Sequence, residues 1–224
     1  MKIVVYTHTD YSRAWSMCFG QIHKYYPNTQ VVVLVDQNSP LLPSTARVIT
    51  YNEQDRYADR VYKCLQRLDA NEIVLFQHED MILYDSPDST LLAEFESLVQ
   101  QDKAQLIKLI RAGTGRKSSI HPHLFHNPSG MNYCIQPSIA KVKSLLRVYK
   151  TQGDTIWQFE SNTMANNLLD SYYYYGGEPL RGLAHFDSRA YPYVATAIVK
   201  GKWNLQEYQS ELNKLFDEYQ VDYL

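Results

Sequence analysis

The chain has no surplus of charge in either direction, since 22 lysines and arginines face 24 aspartates and glutamates over 224 residues. That near-cancellation excludes a broad basic surface of the kind that holds nucleic acid, so any partner must be recognised locally. Cysteine is scarce as well. Cys18, Cys64 and Cys134 are odd in number, far apart and set among apolar neighbours, which speaks for buried free thiols in a reducing compartment and against a disulfide framework or zinc knuckle. No run of about 18 apolar residues is present, as a membrane span would require. Met1 leads straight into Ile3-Val4-Val5-Tyr6 with no charged leader or cleavage site. The expectation is a cytoplasmic protein with no integral membrane segment and no nucleic-acid partner.

What is abundant is tyrosine. The 19 tyrosines each offer a flat apolar face with a hydroxyl at its tip, suited to core packing and to carbohydrate alike. The length allows one well-buried core, so a single domain over 1–224 is expected, with 1–110 and 111–224 as its two halves.

The first half alternates β-branched runs with amphipathic stretches, the pattern of strand-helix-strand units in an α/β fold with a mostly parallel sheet. Strands are predicted at 2–7, 30–36, 46–51 and 72–77. Ala14, Trp15, Cys18, Phe19, Ile22 and Tyr25 form an apolar stripe on a helix that opens near Asp10 or Ser12 and ends by Pro27. Val61, Leu65 and Leu68 mark a second helix, opening after Asn52 or Asp55. Segment 72–77 is nearly all apolar, as expected of a central strand covered on both faces. Beyond it come a helix at 89–101, a strand at 105–110, an irregular segment at 112–130 and a strand at 131–135. Helices at 138–150 and 155–170, strands at 172–175 and 193–199 and a helix at 204–219 complete the expectation.

Ligands of open α/β sheets sit outside the carboxyl ends of the strands, and His78-Glu79-Asp80 follows the central strand there. Hard cations such as Mg²⁺ or Mn²⁺ take carboxylate oxygens, and Mn²⁺ also accepts imidazole. A cation so placed would suit a nucleoside diphosphate, whose charge builds as the bond to sugar breaks.

Tyr-Ala-Asp-Arg-Val-Tyr-Lys at 57–63 and Ile-Val-Leu-Phe-Gln-His-Glu-Asp-Met-Ile-Leu at 73–83 resemble the region of GT-A glycosyltransferases that holds their acidic metal motif. Ile-Gln-Pro-Ser-Ile-Ala-Lys at 135–141, Trp-Gln-Phe-Glu at 157–160 and Ala-Ile-Val-Lys-Gly-Lys-Trp at 197–203 resemble small viral and bacterial proteins of that kind. The resemblance implies a three-layer, Rossmann-like α/β/α domain with a mixed, mostly parallel sheet, its first half binding a nucleotide sugar and its second a glycan or glycoconjugate acceptor. It puts the principal metal ligand at Asp80, with Glu79 beside it. His78 stands where the family has its first acid, either as a further ligand, as a contact to the donor ribose or as a replacement for a metal contact. A further ligand falls on His185 or Asp187. Donor contacts fall on Thr7, His8, Thr9, Asp10 and Tyr11 and on Asp36. Arg60 and Lys63, one helical turn apart, are candidates to reach the diphosphate.

Inverting transfer needs a base that removes the acceptor proton, and a carboxylate near apolar surface suits that task. Glu160, following Trp157 and Phe159, is the candidate, with those rings as a desolvating surface and a face for sugar. Weaker candidates are a metal site at His121, His123 and His126, a sugar platform at Tyr172 to Tyr175, a phosphate loop at Lys200-Gly201-Lys202-Trp203 and a phosphate cradle at Arg111, Gly113 and Gly115. The rival functions are a carbohydrate-binding protein that has lost turnover, a sugar-phosphate nucleotidyltransferase and a metal-dependent phosphohydrolase. A nucleotidyltransferase would carry a glycine-rich loop after the first strand, and Thr7 to Ser12 contains no glycine. A phosphohydrolase would cluster more Asp and His ligands.

Overall fold

Four β-branched segments, β1 (Lys2–Tyr6), β2 (Val31–Val35), β3 (Arg47–Thr50) and β4 (Ile73–His78), pair in parallel in the order β3-β2-β1-β4. Every residue of β4 is buried, which matches its unbroken apolar run. The register sets Tyr6 beside His78, so both strands end level at one edge of the sheet. The computed structural model describes residues 1–128, 133–164, 168–181 and 185–222.

The second half of the sheet continues through β6 (Leu106–Lys108), β7 (Leu124–His126), β8 (Ser138–Lys141) and β9 (Ser171–Tyr174), after the short β5 (Ile82–Leu83). The full order is β3-β2-β1-β4-β8-β6-β9-β7, with β8 antiparallel to both β4 and β6 and β7 antiparallel to β9. Helices α2 (Tyr57–Leu65), α4 (Val142–Tyr149) and α5 (Ile156–Met164) cover the face that carries Phe76 and His78, shown by the rings of Tyr57, Tyr149 and Phe159 packed there. Helices α1 (Trp15–Tyr25) and α3 (Ser89–Gln100) cover the other face, where Cys18 meets Gln77 and Phe95 meets Tyr174. The result is the three-layer α/β/α arrangement with a mixed, mostly parallel sheet.

Helix α6 (Leu205–Tyr219) packs on α1 and follows four two-residue strands, β10 (Leu180–Arg181), β11 (His185–Phe186), β12 (Tyr193–Val194) and β13 (Ile198–Val199), and the two-residue β14 (Lys202–Trp203). Among the described residues no helix is long and apolar enough to cross a membrane.

Several boundaries differ from the sequence expectation. Residues 138–141 form β8, not the first turn of a helix, because Ser138 to Lys141 fill the gap between β4 and β6 and pair with both. Of the strand expected at 131–135, residues 131–132 lie outside the described residues, and 133–135 are irregular. The segment 112–130, expected to be irregular, contributes β7 at the sheet edge, where Leu124 to His126 pair with β9. The helix expected at 155–170 is Ile156–Met164, with residues 165–167 outside the described residues. The strand expected at 193–199 is split into β12 and β13, because Ala195 to Ala197 turn the chain past Asp80, where the Ala197 amide donates to the Asp80 carbonyl at 2.9 Å.

Candidate active site

A cleft of about 390 Å³ opens at the carboxyl ends of β1 and β4. Its walls include Tyr6, His8 and Tyr11 from the β1 side, Arg60 from α2, Glu79 and Asp80 after β4, and Asp154 to Ile156 at the start of α5. The parallel register of β1 and β4 brings these segments together, and the Glu79 amide closes the join by donating to the Tyr6 carbonyl at 3.3 Å.

His78, the last residue of β4, is buried. Its Nε2 lies 2.9 Å from the Tyr57 hydroxyl and its ring 5.0 Å from that of Tyr6. Burial pulls its pKa down to about 3, so the imidazole is neutral at physiological pH. His78 lines the cleft, and its Nε2 is the nitrogen held by Tyr57. Glu79 is buried, while Asp80 is half-buried. Burial, and next the charge of adjacent Asp80, raise the Glu79 carboxyl well above the usual range; burial pushes Asp80 up to about 7 against an opposing hydrogen bond from its own backbone.

Among the described residues no ion pair joins Glu79 or Asp80 to a basic side chain. Two desolvated carboxyls side by side at a cleft wall have the donor chemistry of a hard divalent cation, which would relieve both the burial and the mutual repulsion. Asp80 and Glu79 therefore fit the Mg²⁺ or Mn²⁺ expected there. His185 does not join them: it sits in β11, with Nδ1 3.8 Å from Glu207 of α6. Asp187 is taken by Arg181, whose Nε donates to it at 2.7 Å.

The expected donor residues divide. Thr7 is fully buried behind the cleft, where its hydroxyl accepts from the Trp15 indole at 2.7 Å and its side chain also hydrogen-bonds the Glu79 carboxyl. Thr9 donates through its amide and hydroxyl to Asp36, at 2.8 and 2.6 Å. Burial pushes the Asp36 carboxyl up, but these bonds outweigh it and hold the group below its ordinary value. Asp10 lies on the cleft wall and is well exposed, and its amide donates to His8 Nδ1 at 3.1 Å. Arg60 reaches the cleft, its guanidinium 5.4 Å from the centre of the Tyr51 ring and bonded to the Asp55 and Glu53 carbonyls at 2.8 and 2.5 Å. Lys63 does not reach it, because it points to solvent and pairs with Asp55 at 2.8 Å. The expected cationic pair is thus Arg60 alone.

Glu53 is a residue that sequence reasoning missed. It meets His8 Nε2, with Asp36 Oδ2 at 3.9 Å from the same nitrogen. The three offer ligand atoms within 4.8 Å of one another. However, His8 Nδ1 accepts the Asp10 amide, which leaves the ring hydrogen on Nε2, pointing at the carboxylates. His8 is hydrogen-bonded to Glu53 and its neighbour Thr9 to Asp36, so the group is a clasp between the segments that follow β1, β2 and β3. Tyr57 was also missed, since helical periodicity marks it as core and gives no sign of the hydroxyl's partner. Asp154 likewise gave no signal, because its pairing with Arg56 at 2.9 Å joins distant parts of the chain.

Glu160 is half-buried on α5, one turn beyond the cleft-lining Ile156 and on the same helical face. Its Oε1 accepts the Ile135 amide at 2.7 Å, and burial raises its carboxyl above the usual range. Phe159 is fully buried against Tyr149, whereas Trp157 stands exposed.

The other expected sites have structural roles. His121 pairs with Glu94 at 2.8 Å, and His126 packs on Tyr172 at 4.8 Å; among the described residues these histidines assemble no metal-binding group. Tyr172, Tyr173 and Tyr174 are buried, so they offer no sugar platform, and Tyr175 is covered by Arg111 at 4.5 Å. Arg111 Nε also donates to the Gly113 carbonyl at 3.0 Å, closing the expected phosphate cradle on itself. Lys200 and Gly201 form the two-residue turn between β13 and β14 with φ of 48° and 75°, a conformation that favours glycine. A second hollow of about 450 Å³ lies between Tyr84, Glu178 and Arg189. Its buried Glu178 already accepts from the Tyr174 hydroxyl at 2.5 Å and the Gly176 amide at 2.7 Å, so the cleft at Asp80 is the better site for chemistry.

Neither a protein-family model nor a curated protein sequence matches the chain. Solved structures of similar fold include a galactosyltransferase, LgtC, in complex with donor and acceptor sugar analogs, with 14% identity and a TM-score of 0.49 over 77% of this chain and 73% of that one. Another is a putative nucleotide-diphospho-sugar transferase from Desulfovibrio desulfuricans G20, with 9% identity and a TM-score of 0.44 over 77% of this chain and 80% of that one. A third is the bifunctional IspDF from Campylobacter jejuni, with 14% identity and a TM-score of 0.48 over 83% of this chain. The present chain spans about half of that protein, 52% of its length.

Proposed function

We propose that the protein is a glycosyltransferase that moves a sugar from a nucleoside diphosphate donor to a hydroxyl of a glycan or glycoconjugate. The observation that carries this reading is the meeting of Glu79, Asp80 and Arg60 around one cleft at the carboxyl ends of β1 and β4, the place where open α/β sheets take their ligands. The carboxyls suit a cation and the guanidinium suits a phosphate. A Mg²⁺ or Mn²⁺ ion held by Asp80 with Glu79 would offset the charge that builds on the departing diphosphate.

Arg60 is pre-set for its part by two backbone carbonyls and the face of Tyr51. Asp10 and Tyr11 supply the opposite wall, while the clasp of His8, Thr9, Asp36 and Glu53 holds together the segments that follow β1, β2 and β3. Glu160 is the proposed base that takes the acceptor proton. Burial raises its carboxyl above the usual range, which favours proton acceptance, while the Ile135 amide opposes that shift in part and orients the group.

The test is calorimetric titration of UDP, GDP and CDP with and without Mn²⁺, followed by assay of diphosphate release from the matching nucleotide sugars. Metal-dependent binding that Asp80→Ala abolishes, together with sugar transfer, is the expected result. Binding without turnover would mark a carbohydrate- or nucleotide-binding protein, and pyrophosphate release from a nucleoside triphosphate would mark a nucleotidyltransferase. Failure of all three diphosphates to bind would sink the assignment.

A further inference from the structure

Among the described residues six large apolar side chains stand exposed: Tyr11, Leu41, Ile156, Trp157, Leu180 and Val199. Two of them, Tyr11 and Ile156, line the cleft of Asp80, and a third, Trp157, follows Ile156 in the first turn of α5. Trp157 is the extreme case at 78% exposed, while Phe159, two residues on, is fully buried. An indole left in water one residue beyond the lining of a polar cleft is a surface awaiting a ligand more than a part of the core.

The neighbours of Trp157 narrow the ligand's chemistry. Asp154 and Thr155 line the cleft just before it, and Asp154 pairs with Arg56, the residue before α2, at 2.9 Å. Asp10, on the far wall, is also well exposed. Apolar faces and hydrogen-bonding groups therefore alternate around the opening. A lipid or a protein helix needs a continuous apolar strip, which these charges interrupt. A pyranose ring has the matching alternation, with a C–H face to lie on an aromatic ring and hydroxyl edges to meet carboxylates, hydroxyls and guanidinium groups.

We propose that Trp157, with Ile156 and the Asp154–Arg56 pair, forms the acceptor subsite and receives a pyranose unit of a glycan on the indole face. The proposal rests on the transferase reading above and adds to it which rim holds the acceptor and through what contact. The first turn of α5 then carries the acceptor platform, and the proposed base Glu160 follows one turn later on the same helix.

The indole itself supplies the measurement. Of the three tryptophans, Trp15 and Trp203 are buried, so acrylamide quenching of the native full-length protein reports mainly Trp157. Quenching is measured during titration with lactose, cellobiose and chitobiose. The expected result is saturable protection from quenching by at least one of them. By calorimetry, Trp157→Ala should weaken that disaccharide about tenfold or more, and Trp157→Phe should hold it within about threefold, because a second aromatic ring restores stacking. Binding of UDP with Mn²⁺ should be unchanged in both variants. The subsite is overturned if none of the three disaccharides protects Trp157, if Trp157→Ala binds as the wild type does, or if that variant loses UDP instead. Since UDP binding is read separately, loss of the subsite and loss of the transferase assignment give different results.

Discussion

The hydroxyl of Tyr57, at the first turn of α2, lies 2.9 Å from Nε2 of His78, at the last residue of β4. The same hydroxyl is 3.4 Å from that of Tyr149, which lies 2.9 Å from that of Tyr133. A buried polar chain thus runs from the cleft into the second half of the sheet, and its cleft end is a neutral imidazole.

That neutrality gives the fold one contribution that acid removes. His78 titrates near 3 in the folded protein against an ordinary 6.5, so the unfolded chain binds a proton first as pH falls. Stability contributed by this group is whole above about 6.5 and declines towards 3, by up to about 1.4 kcal/mol per pH unit where the difference is full. Because Asp80 and Glu79 titrate in the opposite sense, the test is a difference: between pH 7 and pH 5, urea unfolding should show the wild type losing more stability, or gaining less, than His78→Gln. Equal slopes would contradict the assignment. Tyr57→Phe should destabilise by about 1–3 kcal/mol at pH 7, because it leaves the imidazole nitrogen buried without its partner.

Asp80 acts in the opposite sense. Its folded pKa of about 7 lies above the ordinary 3.8, so the stability tied to its protonated form is whole below about 3.8 and lost as pH rises through 7. In the absence of divalent cations, Asp80→Asn should therefore be more stable than the wild type at pH 8, by about 1–2 kcal/mol after allowance for its partial exposure. Mn²⁺ should raise the melting temperature of the wild type and leave the variant unmoved. A variant that melts lower than the wild type without metal, or that still responds to Mn²⁺, would remove Asp80 from the cation's site.

Glu160→Gln separates chemistry from structure. The amide oxygen of glutamine can still accept the Ile135 amide that Glu160 holds at 2.7 Å, so the melting temperature should stay within a few degrees of the wild type. As the proposed base, its loss should lower kcat by about 10²–10⁴-fold with donor binding intact. A fall in kcat of less than about threefold would leave Glu160 as a structural pin.

Gly153 sits ahead of the cleft-lining segment Asp154 to Ile156, and an added Cβ would come within 2.5 Å of the Phe159 backbone. Backbone cannot swing aside as a flexible side chain can. Gly153→Ala should therefore destabilise by about 1–3 kcal/mol and displace the cleft wall. Its expected signature is weaker disaccharide and UDP binding together, in contrast to the selective effect of Trp157→Ala. Unchanged affinities in the alanine variant would show that the wall does not depend on this close approach.

Local chemistry in the chain already determined the first half of the sheet. Runs such as Val31 to Val35 and Ile73 to Phe76 have nowhere to go but a covered strand, and their termini predicted where β1 and β4 would deliver Glu79 and Asp80. Periodicity found the stripes of α1 and α2 for the same reason, since each buries one face. Tertiary structure alone decided that Ser138 to Lys141 would be a strand, because those residues need neighbours on both sides to complete their hydrogen bonds. It also gave the His78 nitrogen to Tyr57, turned Lys63 away from Arg60 and left Trp157 in solvent while burying Phe159. Each of these outcomes depends on groups far apart in the chain, and hydrogen-bond partners or ring contacts set by folding leave no trace in the spacing of residues along it.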